Sequence, residues 1–345
     1  MAKERIVWMD MMRGSLILLV IIQHWISDFY LHDAILNSSF YRIIYEIKIV
    51  FAPYRMELLF FLSGFIVHKS LNKDFKKYLS GKINNLLYPY MLWSFIFLLL
   101  YNYPYILSGN YHPVTNYIIR IFMGATNLTW FLYFLFAYFL VALKILKSEI
   151  NPYVVIACAA VLCYIASGYN FYSEIDVNYL EEGDIFYYFI YFYLGCHLGI
   201  KKYNLVAISK NYLFLLVAII SLIAVETLNF HTSLQKTDLI YFPFVILSIP
   251  LAIFTSVQIQ KITIIRKMLT HISLNSITYY LMHLVLLKVY SKIFEMLDAN
   301  QVIAFPLKLL ITFITIYIFI LLKKRFDIFS ILFQPFYKKK IQDVQ

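Results

Sequence analysis

Charged residues are scarce in this sequence: they make up 14% of its 345 residues, whereas hydrophobic residues make up 62%. A typical soluble domain has about 25% charged residues, because a folded chain exposes many of its side chains to water. So few charged side chains cannot cover such a surface, which excludes a soluble globular protein. The composition instead predicts one membrane-embedded domain over residues 1–345, with the lipid bilayer as its surroundings.

Glycine, proline and cysteine are also rare. The nine glycines and nine prolines form no linker, which counts against a second domain and, more weakly, against a transporter built on broken helices. The three cysteines, Cys158, Cys163 and Cys196, lie within apolar stretches and lack the spacing of metal ligands. We therefore expect them to serve as small packing residues, and we expect no metal site.

Long apolar stretches are abundant, and each one indicates a transmembrane helix of about 20 residues. Together they predict an all-α, polytopic membrane protein with about ten transmembrane helices. We place these helices near residues 7–28, 50–68, 85–106, 130–147, 152–169, 184–200, 211–229, 239–258, 272–291 and 302–322. The second is the least regular, because Pro53, Arg55 and Glu57 interrupt its start.

The basic residues are distributed unequally between the two sides of this predicted bundle. The formal net charge is +11, and twenty-one of the 30 lysines and arginines fall in terminal segments and loops on the side of the N-terminus, against six in the opposite loops. Short cationic loops are difficult to translocate, so the N- and C-termini are predicted to be cytoplasmic. Membrane topology thus explains the excess of positive charge, and we do not expect nucleic acid as a partner.

The first predicted helix contains three polar side chains that are costly to bury in a bilayer, Asp10, Arg13 and His24. Arg13 and His24 are nearly three helical turns apart, so both point the same way at a separation of about 16 Å. One interpretation is structural: Arg13 pairs with Asp10 and reaches the headgroups, and His24 hydrogen-bonds another helix. The other is functional, because a neutral imidazole can act as a general base near neutral pH.

The same residues are similar to a motif of a known protein family. The stretch Asp10-Met-Met-Arg13-Gly14 followed by His24 resembles the first helix of the acyltransferase-3 family, membrane enzymes that O-acylate cell-surface glycans. Further elements are similar to that family in the same order along the chain: residues 55–65 with Phe-Phe-Leu-Ser63-Gly, the basic stretch 75–90, residues 129–132 with Trp130-Phe-Leu, and residues 276–283 ending in His283. The set spans most of the chain, and it resembles the compact, fucose 4-O-acetylase-like members in particular.

The resemblance implies an O-acyltransferase, and we expect an O-acetyltransferase in the bacterial cytoplasmic membrane. Acetyl-CoA would be the donor substrate, with no tightly bound cofactor, and its phosphates would be held by Arg13 and by the loop lysines Lys76, Lys77 and Lys82. His24 would take the proton from a hydroxyl of the acceptor or accept the acyl group transiently. The acceptor would be a cell-surface polysaccharide or its lipid-linked precursor.

The loop lysines have a second interpretation. The family often has two arginines there, which bind phosphate through a two-pronged fork that lysine lacks. A cytoplasmic loop is also expected to be rich in lysine for topological reasons alone. The sequence leaves both interpretations open.

Five more residues are candidates for the acceptor site or for structural roles. Arg55 and Glu57 lie at a depth similar to that of His24, where they would form a structural ion pair or line the acceptor entrance. Trp130 is interpreted as an interfacial anchor or a sugar platform, and His283 as a hydrogen-bonded packing residue or a functional one. Ser63 joins them as part of the Ser-Gly element in the second helix.

Two other classes of function suit the same composition. The first is a polysaccharide exporter or flippase of the same fold that carries out no acyl transfer. The second is a non-catalytic membrane scaffold, although a scaffold has little need of costly intramembrane groups such as Arg13 and His24. Labelled acetyl-CoA would distinguish the enzyme from the exporter, because only the enzyme transfers the label to glycan.

Overall fold

The computed structural model describes residues 6–27, 39–71, 73–126, 129–148, 150–169, 171–175, 177, 180–231 and 241–335. Every regular element within these ranges is helical, which confirms the predicted all-α class. The main helices are α1 (Val7–Ser27), α2 (Ser39–Phe51), α3 (Arg55–Phe65), α4 (Phe75–Lys82), α5 (Tyr88–Ser108), α6 (His112–Met123), α7 (Trp130–Ile145), α8 (Pro152–Ala166), α9 (Asp184–Ile200), α10 (Tyr212–His231), α11 (Tyr241–Ile259), α12 (Thr263–Leu274), α13 (Ser276–Met296) and α14 (Gln301–Arg325). One π-helical turn, Ile83–Leu87, joins α4 to α5.

Each of the ten predicted transmembrane segments falls on helix. In the described part of the chain, four helical segments are long and apolar enough to cross a membrane alone, namely Val7–Ser27, Phe75–Ser108, Phe242–Ile259 and Gln301–Arg325. The second of these combines α4, the π-helical turn and α5. A fifth is added if α12 and α13, which meet at 85°, form one broken span. The total of ten therefore stays a prediction. So does the placement of both termini, because residues 1–5 and 336–345 lie outside the described ranges.

Two predicted helices are divided in the structure. The segment predicted near 50–68 contains the end of α2 and all of α3, with Pro53 in the turn between them. Proline has no backbone N–H, so a helix that continued through Pro53 would lose one of its backbone hydrogen bonds. The segment predicted near 272–291 begins inside α12, and the chain turns at Asn275 before α13. The Asn275 amide donates to the carbonyl oxygen of His271 at 2.9 Å, which supports the end of α12.

Helix α1 lies at the centre of the bundle. It packs against α2, α3, α11, α12 and α13, and eleven of its residues are buried. A helix that is apolar nearly all round is expected to be buried on most sides. Its few polar groups therefore face other parts of the protein.

Helices α3 and α9 pack closely through glycines. A Cβ at Gly64 would collide with the carbonyl oxygen of Phe192, and a Cβ at Gly195 would collide with that of Phe61. Small residues allow such close approach in membranes, where dispersion contacts between helices replace the hydrophobic effect as the main source of association. This contact fixes α3 and its polar residues relative to the rest of the bundle.

Candidate active site

Two adjoining cavities open at the amino end of α1, the end predicted to be cytoplasmic. Their volumes are about 360 Å³ and 490 Å³, and Arg13, Lys73 and Lys82 line both of them. Lys77 lines the first cavity and Lys69 the second. The cavities thus bring five cationic side chains from α1 and from the region of residues 69–82 around one space.

The structure distinguishes three loop lysines, Lys76, Lys77 and Lys82, which the sequence leaves equivalent as candidates for binding phosphate. Lys77 and Lys82 line cavity walls, whereas Lys76 is exposed and lines neither cavity. Asp74 caps α4 by accepting a hydrogen bond from the Lys76 backbone N–H at 3.0 Å, which fixes the first turn of the helix. The helix therefore presents Lys77 and Lys82, but not Lys76, to the site.

Aromatic rings hold Lys82 in place. Its ammonium lies 3.1 Å from the centre of the Phe139 ring and 5.4 Å from that of Tyr78. The Tyr78 hydroxyl donates a hydrogen bond to the Phe139 carbonyl oxygen at 2.9 Å, which links α4 to α7. Such cation–π contacts stabilise the ammonium through the faces of the rings and hold Lys82 at the cavity wall, where a ligand would meet it.

Asp10 and Arg13 are neighbours at the mouth of the cavities. Asp10 accepts a hydrogen bond from the Ser273 hydroxyl at 2.9 Å, and its charge acts on the Arg13 guanidinium. The predicted pairing of Asp10 with Arg13 is therefore compatible with a functional role, because Arg13 also faces both cavities. Ser63 lines the first cavity as well, and its hydroxyl donates to the Leu59 carbonyl oxygen at 2.8 Å.

His24 and His283 meet deeper in the bundle, where α1 packs against α13. Their ring centres are 5.3 Å apart, and their planes are inclined by 45°. His283 is fully buried, and its Nδ1 lies 3.0 Å from the Tyr279 carbonyl oxygen. A carbonyl only accepts hydrogen bonds, so Nδ1 carries the proton and Nε2 of a neutral ring keeps its lone pair. Within the described residues that Nε2 has no hydrogen-bond partner, although it is buried.

Arg55 and Glu57 lie on the same side of the bundle as His24. Glu57 is only 1% exposed, and it lies near enough to Arg55 for its charge to be felt there. The charge of Arg55 in turn acts on the His24 ring. Arg55 is thus influenced by Glu57 and belongs to the surroundings of His24, and both interpretations of this residue stay predictions.

Trp130 lies among aromatic rings. Its ring centre is 5.2 Å from that of Tyr188 and 5.4 Å from that of Phe134, and the side chain is half-buried. These contacts join α7 to α9, and both interpretations of Trp130 stay open.

Sequence reasoning missed several residues around the site. Lys73 belongs to the same basic loop as Lys76, Lys77 and Lys82 but is absent from the residues that the sequence assigns to the donor, and it lines both cavities. Lys48 and Lys288 have charges that act on His24. Lys288 could have been identified from the sequence, because a lysine inside a predicted apolar span is costly to bury and therefore indicates a functional position.

The comparisons with known proteins identify the family of the chain. A family model of the acyltransferase domain, acyltransferase family 3, matches residues 6–323. The chain belongs to the acyltransferase-3 family. The match includes α1 with Arg13 and His24, the lysines of α4, and His283 on α13. No curated protein and no solved structure matches the chain.

Membership of the acyltransferase-3 family, together with the apolar helices, makes the chain a multi-pass membrane acyltransferase. Such an enzyme requires an acyl donor and an acceptor in addition to the bilayer. Helix α1 brings two groups to separate places, Arg13 to the cationic cavities and His24 to His283.

Proposed function

We propose that this acyltransferase is an O-acetyltransferase of the bacterial cytoplasmic membrane, which moves an acetyl group from cytoplasmic acetyl-CoA to a hydroxyl of a cell-surface polysaccharide or its lipid-linked precursor. The observation that carries the proposal is the arrangement of α1. Near its amino end Arg13 faces cavities lined by lysines, and near its other end His24 lies beside His283.

The cationic cavities suit the donor. CoA carries several phosphate groups, and Arg13, Lys73 and Lys82 lie where both cavities meet. Charge-assisted hydrogen bonds to phosphate are stronger than neutral ones, and the arginine fork adds directional recognition. The pantetheine arm of CoA is a long, flexible chain, so its thioester can reach into the bundle while the phosphates stay at the cytoplasmic end.

The histidine pair suits the chemistry of transfer. His24 takes the proton of the acceptor hydroxyl as the hydroxyl oxygen bonds to the acetyl carbonyl carbon. The carbon–sulfur bond then breaks, and the departing CoA sulfur receives the proton from the His24 imidazolium. Atoms and charge balance, and the products are an acetyl ester and free CoA. The bundle around the rings limits the access of water, which suppresses hydrolysis of the thioester.

His283 is proposed to position His24. Its Nε2 lone pair can accept a hydrogen bond from the N–H of His24, directly or through one water molecule, after a small movement of the rings. That bond would hold the other nitrogen of His24 as the lone pair that faces the hydroxyl. Catalytic hydrogen bonds often shorten only when substrate binds.

The test uses purified protein in lipid vesicles with labelled acetyl-CoA and glycan extracted from the host membrane. Acetylation of the glycan by the wild-type protein, and its loss in His24→Ala at equal expression, is the expected result. Glycan that crosses the membrane without gaining label would favour the exporter. Unchanged acetylation by His24→Ala would remove His24 from the mechanism.

A further inference from the structure

The first cavity ends before the histidine pair. Of the described residues, neither His24 nor His283 lines it. On α1, Ile17 lines the cavity and His24 follows seven residues later; on α13, Ser276 lines it and His283 also follows seven residues later. Seven residues are nearly two helical turns, so each histidine lies on the same face as the cavity residue, about 10 Å further along its helix. A thioester in the cavity must therefore travel about another 10 Å to reach the histidines.

Two aromatic rings lie between the cavity and the histidines. Phe131 and Phe139 of α7 both line the cavity, and Phe139 is the residue under the Lys82 ammonium. Phe131 is about 12 Å from Phe139 along the helix, so it lines the end of the cavity that is remote from Lys82. The Phe131 ring centre is 5.7 Å from that of Tyr280, and the Tyr280 ring centre is 6.2 Å from that of His283. The rings thus form a continuous contact from the cavity wall to the histidine pair.

The neighbours of these two rings are closely packed. Phe131 is 7% exposed and Tyr280 is 6% exposed. Phe60 of α3 is fully buried, and its ring centre lies 4.7 Å from that of Phe131. On the part of α1 that leads from the cavity to its histidine, Val20 and Ile21 are also buried. Extra volume in such an interior forces side chains out of their preferred positions, so a small group can pass with less rearrangement than a long one.

We propose that Phe131 and Tyr280 form an acyl-length gate between the donor cavity and the histidine pair, which admits an acetyl group and excludes longer acyl groups. The inference rests on the proposed function, since it names the residues that select the donor. The acyl group is the leading end of the donor, so each added methylene group must fit between rings that are already in contact. Longer donors undergo the same bond changes: the ester C–O bond forms, the C–S bond breaks, and the CoA sulfur receives the proton of the hydroxyl. Selection therefore depends on space and not on reactivity.

The test compares acetyl-CoA with butyryl-CoA as donors for purified protein in lipid vesicles, with the same glycan acceptor. Phe131→Leu and Tyr280→Leu each remove one ring of the gate. Phe134→Leu is the matched control, because Phe134 lies one turn further along α7, is fully buried, and packs against Trp130 and Tyr138 rather than lining the first cavity. Tyr280→Phe keeps the ring and is a second control. The ratio of the two kcat/KM values is measured on one preparation, so partial loss of folded protein does not affect it.

The expected results concern this ratio. One methylene group in an apolar pocket changes kcat/KM by about 10- to 200-fold, so the wild type should favour acetyl-CoA over butyryl-CoA by at least about tenfold. Phe131→Leu and Tyr280→Leu should raise the kcat/KM for butyryl-CoA and lower the ratio by at least about fivefold. Phe134→Leu and Tyr280→Phe should keep the wild-type ratio.

A binding measurement decides for any protein that transfers no acyl group. It uses two unreactive thioethers, 2-oxopropyl-CoA and 2-oxopentyl-CoA, in which a methylene group separates the CoA sulfur from the carbonyl carbon. Ligands that bind only the folded state raise the unfolding temperature. The short thioether should stabilise the wild type more than the long one does, and this difference should shrink in Phe131→Leu but not in Phe134→Leu.

Three outcomes overturn the inference. The first is equal use of acetyl-CoA and butyryl-CoA by the wild type, and the second is a preference that both Phe131→Leu and Tyr280→Leu leave unchanged. The third is an equal fall of the ratio in Phe134→Leu, which would show that the bundle has loosened generally. Each of them leaves an O-acyltransferase standing. Transfer that His24→Ala does not affect, or a wild type that transfers from neither donor, removes the proposed function instead.

Discussion

Lys82 and Lys76 are six residues apart on one short helix, and the structure gives them different surroundings. Lys82 lines both cavities with its ammonium over the Phe139 ring, whereas Lys76 is exposed to solvent. If the cavities hold the phosphates of CoA, Lys82→Gln should raise the KM for acetyl-CoA about tenfold with little change in kcat. Lys76→Gln is the matched control and should change KM less than about twofold. Steady-state kinetics over acetyl-CoA concentration decides, and equal effects of the two substitutions would contradict the assignment.

His283 offers a second test at the scale of one residue. His283→Ala removes the ring that lies beside His24 and should lower kcat by about ten- to a hundredfold, while the KM for acetyl-CoA stays near its original value. His283→Gln keeps a side-chain hydrogen-bonding group and should restore part of kcat. His271→Gln alters a histidine on α12 outside the pair and serves as control. A purely structural role for His283 predicts that both of its variants lose folded protein and that neither changes kcat per folded molecule.

The pairing of His24 with His283 shows where sequence reasoning stops. The spacing between Arg13 and His24 follows from helical geometry, and the structure places both on α1 as expected. No periodicity relates residue 24 to residue 283, because their contact depends on how α1 packs against α13. The preference for Lys82 over Lys76 is also invisible in the sequence, since it depends on which face of α4 meets α7.

At the scale of the element, the long apolar stretches of the sequence predicted correctly where helices lie. All ten predicted segments fall on helix, because a chain that must satisfy its backbone hydrogen bonds in lipid has few other choices. Pro53 indicated the break between α2 and α3, because proline is disfavoured inside a helix. Nothing in the sequence indicated the turn at Asn275 between α12 and α13. Neither α2 nor α6 was predicted as a helix, since both are shorter than a typical span.

The glycine contact between α3 and α9 can be tested against a glycine with open space around it. Gly64→Ala or Gly195→Ala places a methyl group against a backbone carbonyl and should lower the free energy of unfolding by about 1–3 kcal/mol. Gly81→Ala adds the same methyl group within α4, where nothing lies within 4 Å of the new Cβ. That control should be neutral or slightly stabilising, because alanine favours helix over glycine. Unfolding in mild detergent measures all three, and equal stability would show that the helices can separate at no cost.

At the scale of the whole molecule, the distribution of charge and the two ends of α1 together predict which end of the bundle faces the cytoplasm. The basic cavities face the cytoplasm only if the predicted topology is right, and acetyl-CoA is available only there. The location of Lys77 on one side and of Lys292 on the other is therefore a requirement of the mechanism. It also depends on an odd number of membrane crossings between the two residues.

Cysteine labelling tests this requirement. In a background without native cysteines, Lys77→Cys should react with a membrane-impermeant maleimide only from the cytoplasmic side, and Lys292→Cys only from the other. CoA should slow labelling at Lys77→Cys, since that side chain lines the first cavity, and should leave the control Lys201→Cys unaffected, because that exposed residue lies in another predicted cytoplasmic loop. Labelling of positions 77 and 292 from the same side would show that the number of crossings between them is even. The donor and acceptor sites would then have to be reassigned, because the two ends of α1 could no longer face opposite compartments as the mechanism requires.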